Sequence, residues 1–459
     1  MVFSSSIFLF SFLPILLLVY FIAAEQFKNA ILLLASLFFY AWGEPKNIAI
    51  MLLSILINYV LGYAVERDWA LKKLFLILAV TYNLATLYIF KYLNFTVDTI
   101  NRLSGGGLEI QQIALPIGIS FYTFQIMSYV IDVYRGKIKA QSNILNLALY
   151  ISLFPQLIAG PIVRYTDIER QITCRSVFWD KAREGVVRFA VGFSKKVLIA
   201  DQLSTFVDTV FAGDYPSILA NWVGIIAYTL QIFFDFSGYS DMAIGLGKIF
   251  GFDILENFNY PYISQSIREF WRRWHISLSA WFRDYLYIPL GGSRKGNLRT
   301  YINLVIVFFL TGLWHGAGFN FVAWGLFHAA FLIIERLGLK NVLTKLPSMV
   351  RRVYSLLVII IGWVFFRADS LGDAVSYIRG MFIVAGKDVA NFQFIMNRQY
   401  WFFLAVGIFL SIPHPKIEAL AQKNQITELL SDILVMVVFI VAICYMVGSG
   451  YSPFLYFRF

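Results

Sequence analysis

The chain has 459 residues, of which 59% are hydrophobic and only 14% charged, and its net charge is +11 at pH 7. Ordinary soluble domains carry about 25% charged residues, so the composition excludes a soluble enzyme and points to an integral membrane protein. The positive charge does not indicate nucleic acid, because Lys and Arg gather in short loops between apolar runs, where they set topology.

Apolar runs fall at about 7–23, 30–42, 48–65, 74–90, 144–158, 218–236, 301–334, 354–366, 401–412 and 433–447, with a weaker run at 186–199 interrupted by Arg188, Lys195 and Lys196. With half-spans included they predict an all-α polytopic chain of roughly eleven crossings. No repeat or Gly/Ser linker divides it, so residues 1–459 read as a single integral-membrane domain. No basic leader and cleavage site precede the second run, and a removed signal peptide is not expected. Cys174 and Cys444 have neither disulfide-framework nor zinc-site spacing, and nothing in the sequence identifies a metal.

Three stretches carry the basic excess. Residues 164–196 hold eight Lys/Arg against four Asp/Glu, 268–299 seven against two, and 335–352 five against one. All three are expected on the cytoplasmic side.

Within the 218–236 run and just past it, "DFSGYSD" sets Asp235, Ser237, Tyr239, Ser240 and Asp241 in one polar patch. Hydrogen bonding between helices accounts for the hydroxyls; the aspartates either share that role or line a polar path. Next, Ile267 to Tyr285 places Phe270, Trp271, Trp274, His275, Leu278, Trp281 and Phe282 at helical spacing, with Arg268, Arg272, Arg273 and Arg283 elsewhere. That pattern predicts one amphipathic helix lying along the membrane surface, His275 on its apolar face. The "YIPLGGSRKG" that follows is a Pro/Gly turn whose basic residues, Arg294 among them, suit lipid headgroups or an anionic cytoplasmic ligand.

Residues 301–334 form 34 residues without a formal charge. As one straight helix they would span about 51 Å, against roughly 30 Å of hydrocarbon. The run must break or tilt strongly, and Trp314-His315-Gly316-Ala317-Gly318 is the expected break, giving a hairpin with His315 deep in the membrane. An ionisable residue there is either a neutral group bonded between helices or a functional site. His328, four residues after Trp324, reads as packing or hydrogen bonding.

Several stretches together resemble one family: "LPIGISFYTFQIMSYVIDVYRG" (115–136), "FPQLIAGPIVRY" (154–165), "VGFSKKVLIAD" (191–201), "QIFFDFSGYSDMAIGLGKIFGF" (231–252), "FWRRWHISLSAWFRDYLYIPLGGSR" (270–294) and "LTGLWHGAGFNFVAWGLFHA" (310–329). They resemble the membrane-bound O-acyltransferases, most closely the bacterial branch of alginate, exopolysaccharide and peptidoglycan O-acetylation. The resemblance implies transmembrane and re-entrant or interfacial helices around a central tunnel. It makes His315 the catalytic histidine and His275 the second recurrent polar position, toward a cytoplasmic mouth where acetyl-coenzyme A enters. Trp314, Asp235, Tyr239, Asp241, Trp274 and His328 would line the tunnel. Arg272, Arg273 and Arg294 would face coenzyme A, the donor substrate, with no cofactor tightly bound.

The chemistry is consistent with one histidine. A thioester is already activated, and a base with a reference pKa of about 6.5 suffices to deprotonate an acceptor hydroxyl near neutral pH. No Gly-x-Ser-x-Gly elbow supplies a self-contained serine esterase. The end of the chain, residues 448–459, reads by composition as an interfacial aromatic belt. Its "FLYFRF" also resembles an acyl-relay motif of this branch, in which the matching Tyr456 accepts the acyl group and passes it outward. An extracytoplasmic SGNH-type transferase would then carry it to a polysaccharide such as alginate, from a bacterial inner (cytoplasmic) membrane. Two alternatives are D-alanyl transfer to teichoic acid and a polytopic transporter or flippase.

Overall fold

The computed structural model describes residues 1–67, 70–176, 178–213, 217–383, 397–449 and 454–455. Helix is the only regular structure among them. Among the described residues, seven helices are long and apolar enough to cross a membrane: Ile48–Arg67, Lys72–Ser104, Ile218–Ile249, Asn297–His315, Phe319–Leu343, Ser348–Arg367 and Gln425–Gly448. The bent pair Arg398–Leu410 and Pro415–Ala421 makes an eighth if it is counted as one span. Of the roughly eleven crossings expected, these seven or eight meet the length and composition of a span; helices such as Leu13–Ile22 and Lys28–Gly43 are apolar but shorter.

The chain packs as two compact units, Met1–Phe189 with Met242–Leu255, and Ala190–Asp241 with Glu256–Phe459. In the first, Phe3, Phe8, Phe12, Phe39 and Phe154 form an aromatic cluster with centroid separations of 5.0–6.3 Å. Each such pair adds about 0.5–1.5 kcal/mol beyond burial. Between Ile48–Arg67 and Lys72–Leu87, buried Asn58 and Asn83 exchange side-chain hydrogen bonds of 3.3 and 2.7 Å. Reciprocal amide pairs of this kind hold helices together where no water competes.

The second unit carries all the candidate site residues that the structure describes. The helix Ile218–Ile249 is buried along most of its length, whereas little of Gln425–Gly448 is buried. Past its first turn its exposed side chains, Ile433, Leu434, Val437 and Ile440 among them, are mostly apolar, the composition of a lipid-facing surface. The 301–334 run does break where expected, into Asn297–His315 and Phe319–Ile334. The two halves pack at very short range. A Cβ on Gly312 would lie 2.3 Å from the Phe321 carbonyl oxygen, and one on Gly325 would lie 2.1 Å from that of Phe308. Gly325→Ala is therefore expected to force the hairpin apart and cost about 1–3 kcal/mol. Thermal unfolding in detergent should show a lowered midpoint, whereas Gly448→Ala, with open space around it, should not; equal midpoints would contradict the close approach.

The Pro/Gly turn after Tyr285 also forms as expected. Gly291 and Gly292 adopt φ of +107° and +55°, values that favour glycine, and Asn303 Nδ2 donates to the Gly292 carbonyl at 3.0 Å.

Candidate active site

The segment Ile267 to Tyr285 is not the single surface helix its spacing predicts. It forms two short helices, Ile267–Arg273 and Ile276–Phe282, separated at Trp274 and His275. His275 has φ 44° and ψ 56°, a left-handed conformation that costs a non-glycine residue about 1–3 kcal/mol. What compensates is a neighbouring loop that replaces the lost helical bonds. The Ile276 N–H donates to the Asn257 carbonyl at 2.9 Å, and the Asn259 N–H donates to the Arg273 carbonyl at 2.9 Å. The aromatic face does not dip into lipid either. Phe270, Trp274, His275 and Leu278 are at most 2% exposed, packed inside the protein: Trp274 lies 4.8 Å from Trp363 and 5.0 Å from Phe258.

Asn257 organises the histidine. Its Oδ1 accepts from the Ser277 N–H at 3.1 Å and the Ser277 hydroxyl at 2.9 Å. Its Nδ2 donates to Ser240 Oγ at 3.2 Å, which fixes the amide orientation. The same Oδ1 stands 3.2 Å from His275 Nδ1. An acceptor at that nitrogen requires the Nδ1–H tautomer, and so the lone pair sits on Nε2. Nε2 is buried and has no hydrogen-bond partner among the described residues. Burial pulls the His275 pKa down to about 3, so the ring is neutral at physiological pH and can accept a hydrogen bond.

His315 is the last residue of its helix half and is 3% exposed. Trp314, Trp324 and Phe366 surround its ring at 4.9, 5.0 and 5.1 Å, all three edge-to-face. The His275 ring lies 6.4 Å away and 6.0 Å from Trp314. Two imidazoles from distant stretches of sequence thus share one aromatic-walled site. His328 is separate in character. It is wedged among Trp271, Trp324 and Phe270 at 5.1, 5.3 and 6.2 Å, in keeping with the packing role its position suggests.

The "DFSGYSD" patch is buried, and two lysines meet its aspartates. Asp235 pairs with Lys196 at 2.9 Å, Lys196 also pairs with Asp201, and Asp241 pairs with Lys195 at 2.6 Å. This corrects the charge count: Lys196, 3% exposed, is an interior ion-pair member rather than a free charge of a basic loop. Asp235 Oδ2 further accepts the Leu455 N–H at 2.8 Å, and the Phe454 ring rests 5.0 Å from that of Tyr239 and 6.2 Å from Phe236. Phe236 in turn meets His275 edge-on at 4.7 Å. The start of the terminal motif is therefore packed one ring away from His275. Tyr456 itself lies outside the described residues.

Of the three arginines, Arg272 and Arg294 are exposed. Arg273 is engaged with Glu269 at 2.9 Å and the Asn259 carbonyl at 3.1 Å. Sequence reasoning missed Asn257, Lys196, Trp324, Trp363 and Phe366. For Lys196 a signal existed, since a lysine pair interrupting one apolar run matched an aspartate pair interrupting another.

The sequence matches the profile of the MBOAT, membrane-bound O-acyltransferase family, over residues 34–371. This chain belongs to that family. It is 43% identical to a probable alginate O-acetylase of Pseudomonas putida over the whole of both chains. It is 36% identical to a peptidoglycan O-acetyltransferase of Helicobacter pylori, covering 85% of this chain and 81% of the relative. A teichoic acid D-alanyltransferase of Bacillus subtilis is 33% identical, over 47% of this chain and 58% of its own length. The buried histidine pair is thus part of a multi-pass membrane O-acyltransferase, and the transporter alternative falls away.

Proposed function

We propose that this O-acyltransferase takes an acetyl group from cytoplasmic acetyl-coenzyme A and passes it across a bacterial inner membrane for O-acetylation of a cell-surface polysaccharide. Tyr456 is the relay, and an SGNH-type extracytoplasmic partner is the next acceptor. The observation that carries this reading is the burial of Phe454 and Leu455 one ring away from His275, with the Leu455 N–H on Asp235. A terminal segment serving only as a membrane-surface belt has no reason to be drawn into that site. Alginate-like polymer is favoured as acceptor by the extent of the P. putida match, which spans the whole chain. Acetyl is favoured over D-alanyl because the D-alanyltransferase match covers less than half of this chain.

In this mechanism His315 takes the proton of the Tyr456 phenol as its oxygen attacks the thioester carbonyl carbon. The C–O bond forms, the C–S bond breaks, and the imidazolium returns the proton to the coenzyme A thiolate. His275, neutral and with Nε2 available, accepts a hydrogen bond that orients the acceptor or the pantetheine arm. The tyrosyl acetate keeps most of the thioester's activation, because a phenol of pKa about 10 leaves far more readily than an alkyl alcohol. Trp314, Tyr239, Trp274 and His328 shape the walls around this path, and Asp241 holds Lys195 at its edge.

The test is mass spectrometry of the C-terminal peptide after incubating purified protein with acetyl-coenzyme A, with coenzyme A release measured in parallel. A +42 Da adduct on Tyr456 (about the mass of a ketene unit, from the stoichiometry of acetylation) is the expected result; release without an adduct would remove the relay. Coenzyme A carries several phosphate charges, and Arg272 and Arg294 are free of crowding to meet them. The double variant Arg272→Ala/Arg294→Ala is expected to raise KM for acetyl-coenzyme A about tenfold with kcat little changed. An unchanged KM would assign these arginines to lipid headgroups instead.

A further inference from the structure

Asp235 belongs to the polar patch expected to line a tunnel, but its contacts suit another task. It is 2% exposed, a position where a carboxylate is expensive unless paired and hydrogen-bonded. Lys196 supplies the pairing at 2.9 Å, and Lys196 is itself held by Asp201. The second carboxylate oxygen accepts the Leu455 N–H at 2.8 Å, a charge-assisted bond of roughly twice the strength of a neutral one. The bonded residues are 220 positions apart in sequence.

We propose that Asp235 is a positioning residue that clamps the C-terminal tail by its backbone and so sets how deep the tail enters the site. The functional consequence rests on the relay reading of Tyr456; the clamp itself does not. A backbone N–H is a donor whatever the side chain, so the clamp fixes the depth of the tail without constraining its sequence. Phe454 adds the lateral hold, its ring against Tyr239 and Phe236. Lys196, fixed between two carboxylates, holds Asp235 in place. A tail seated this way meets an acyl donor as an intramolecular partner and is spared the entropy of finding the site at each turnover.

The experiment uses the full chain in detergent. Hydrogen exchange of residues 449–459 is followed, together with the rate of tail acetylation and the affinity for acetyl-coenzyme A, in the wild type, Asp235→Ala, Leu455→Pro and Tyr456→Phe. Proline at 455 removes the donor alone, which covers the case in which Asp235→Ala misfolds by stranding Lys196. Both variants are expected to lose protection at the tail and to slow its acetylation about 10- to 100-fold. Acetyl-coenzyme A affinity should stay within about twofold, and combining the two substitutions should add nothing, because both break the same bond. Tyr456→Phe should keep full protection. Wild-type protection in Asp235→Ala and Leu455→Pro would overturn the clamp. Loss of protection in those variants, alongside undiminished polymer acetylation in Tyr456→Phe, would support the clamp while removing the relay.

Discussion

His315→Ala is expected to lower acetyl transfer by about 10²–10⁴-fold, the usual worth of a general base, with acetyl-coenzyme A binding nearly unchanged. The ring is packed against Trp314, Trp324 and Phe366, three side chains that cannot take up a proton in its place. Losing the ring also opens a cavity among those aromatics, and a stability change has to be separated from a chemical one. His315→Gln does this, since it keeps volume and polarity but cannot accept a proton at neutral pH. Both variants should retain a cooperative thermal transition, and both should fail to release coenzyme A above background. Turnover within tenfold of wild type in His315→Gln would make His315 a hydrogen-bonding residue. His275 would then be a poor substitute as base, because burial holds its pKa near 3. A base would have to be sought elsewhere, with the tail and its carboxylate clamp as the first candidates.

What the sequence disclosed depended on whether the governing quantity is local. The hairpin at His315 was legible because 34 uncharged residues are too long for one upright span and two glycines sit at their centre. That is a length and propensity argument, and the structure follows it. The break at His275 was not legible. Helical periodicity counts which residues share a face, and two short helices with one left-handed residue between them keep nearly the same pattern as one continuous helix. The deciding interactions come from Asn257 and Asn259, whose role depends on a loop that no periodicity describes. Likewise, counting Lys196 as a topogenic charge was reasonable for an isolated lysine. It failed because the partner carboxylate lies on another helix, 39 residues later in the chain. Periodicity also cannot say whether an aromatic face meets lipid or protein: both are apolar, and Phe270 and Trp274 turned out to meet protein.

Tyr456→Phe is expected to abolish the acetyl adduct on the tail and to leave polymer acetylation, assayed with the extracytoplasmic partner, below about 1% of wild type. That corresponds to at least about 2.7 kcal/mol of lost transition-state stabilisation. The substitution isolates chemistry from docking. Phenylalanine preserves the ring and its packing area, and the contacts that seat the tail, the Leu455 N–H on Asp235 and the Phe454 ring on Tyr239, do not involve the 456 hydroxyl. Coenzyme A release should fall to the rate at which water reaches the thioester, which His315 can still assist. The residual release would therefore disappear in the double variant His315→Ala/Tyr456→Phe, and a search of the Tyr456→Phe protein for any other acetylated peptide distinguishes slow hydrolysis from a second protein acceptor. If Tyr456→Phe instead sustained polymer acetylation at the wild-type rate, the partner's own nucleophile would have to reach the thioester directly. The site would then have to open far enough outward to admit that nucleophile past Trp314 and Phe366, the rings packed against His315.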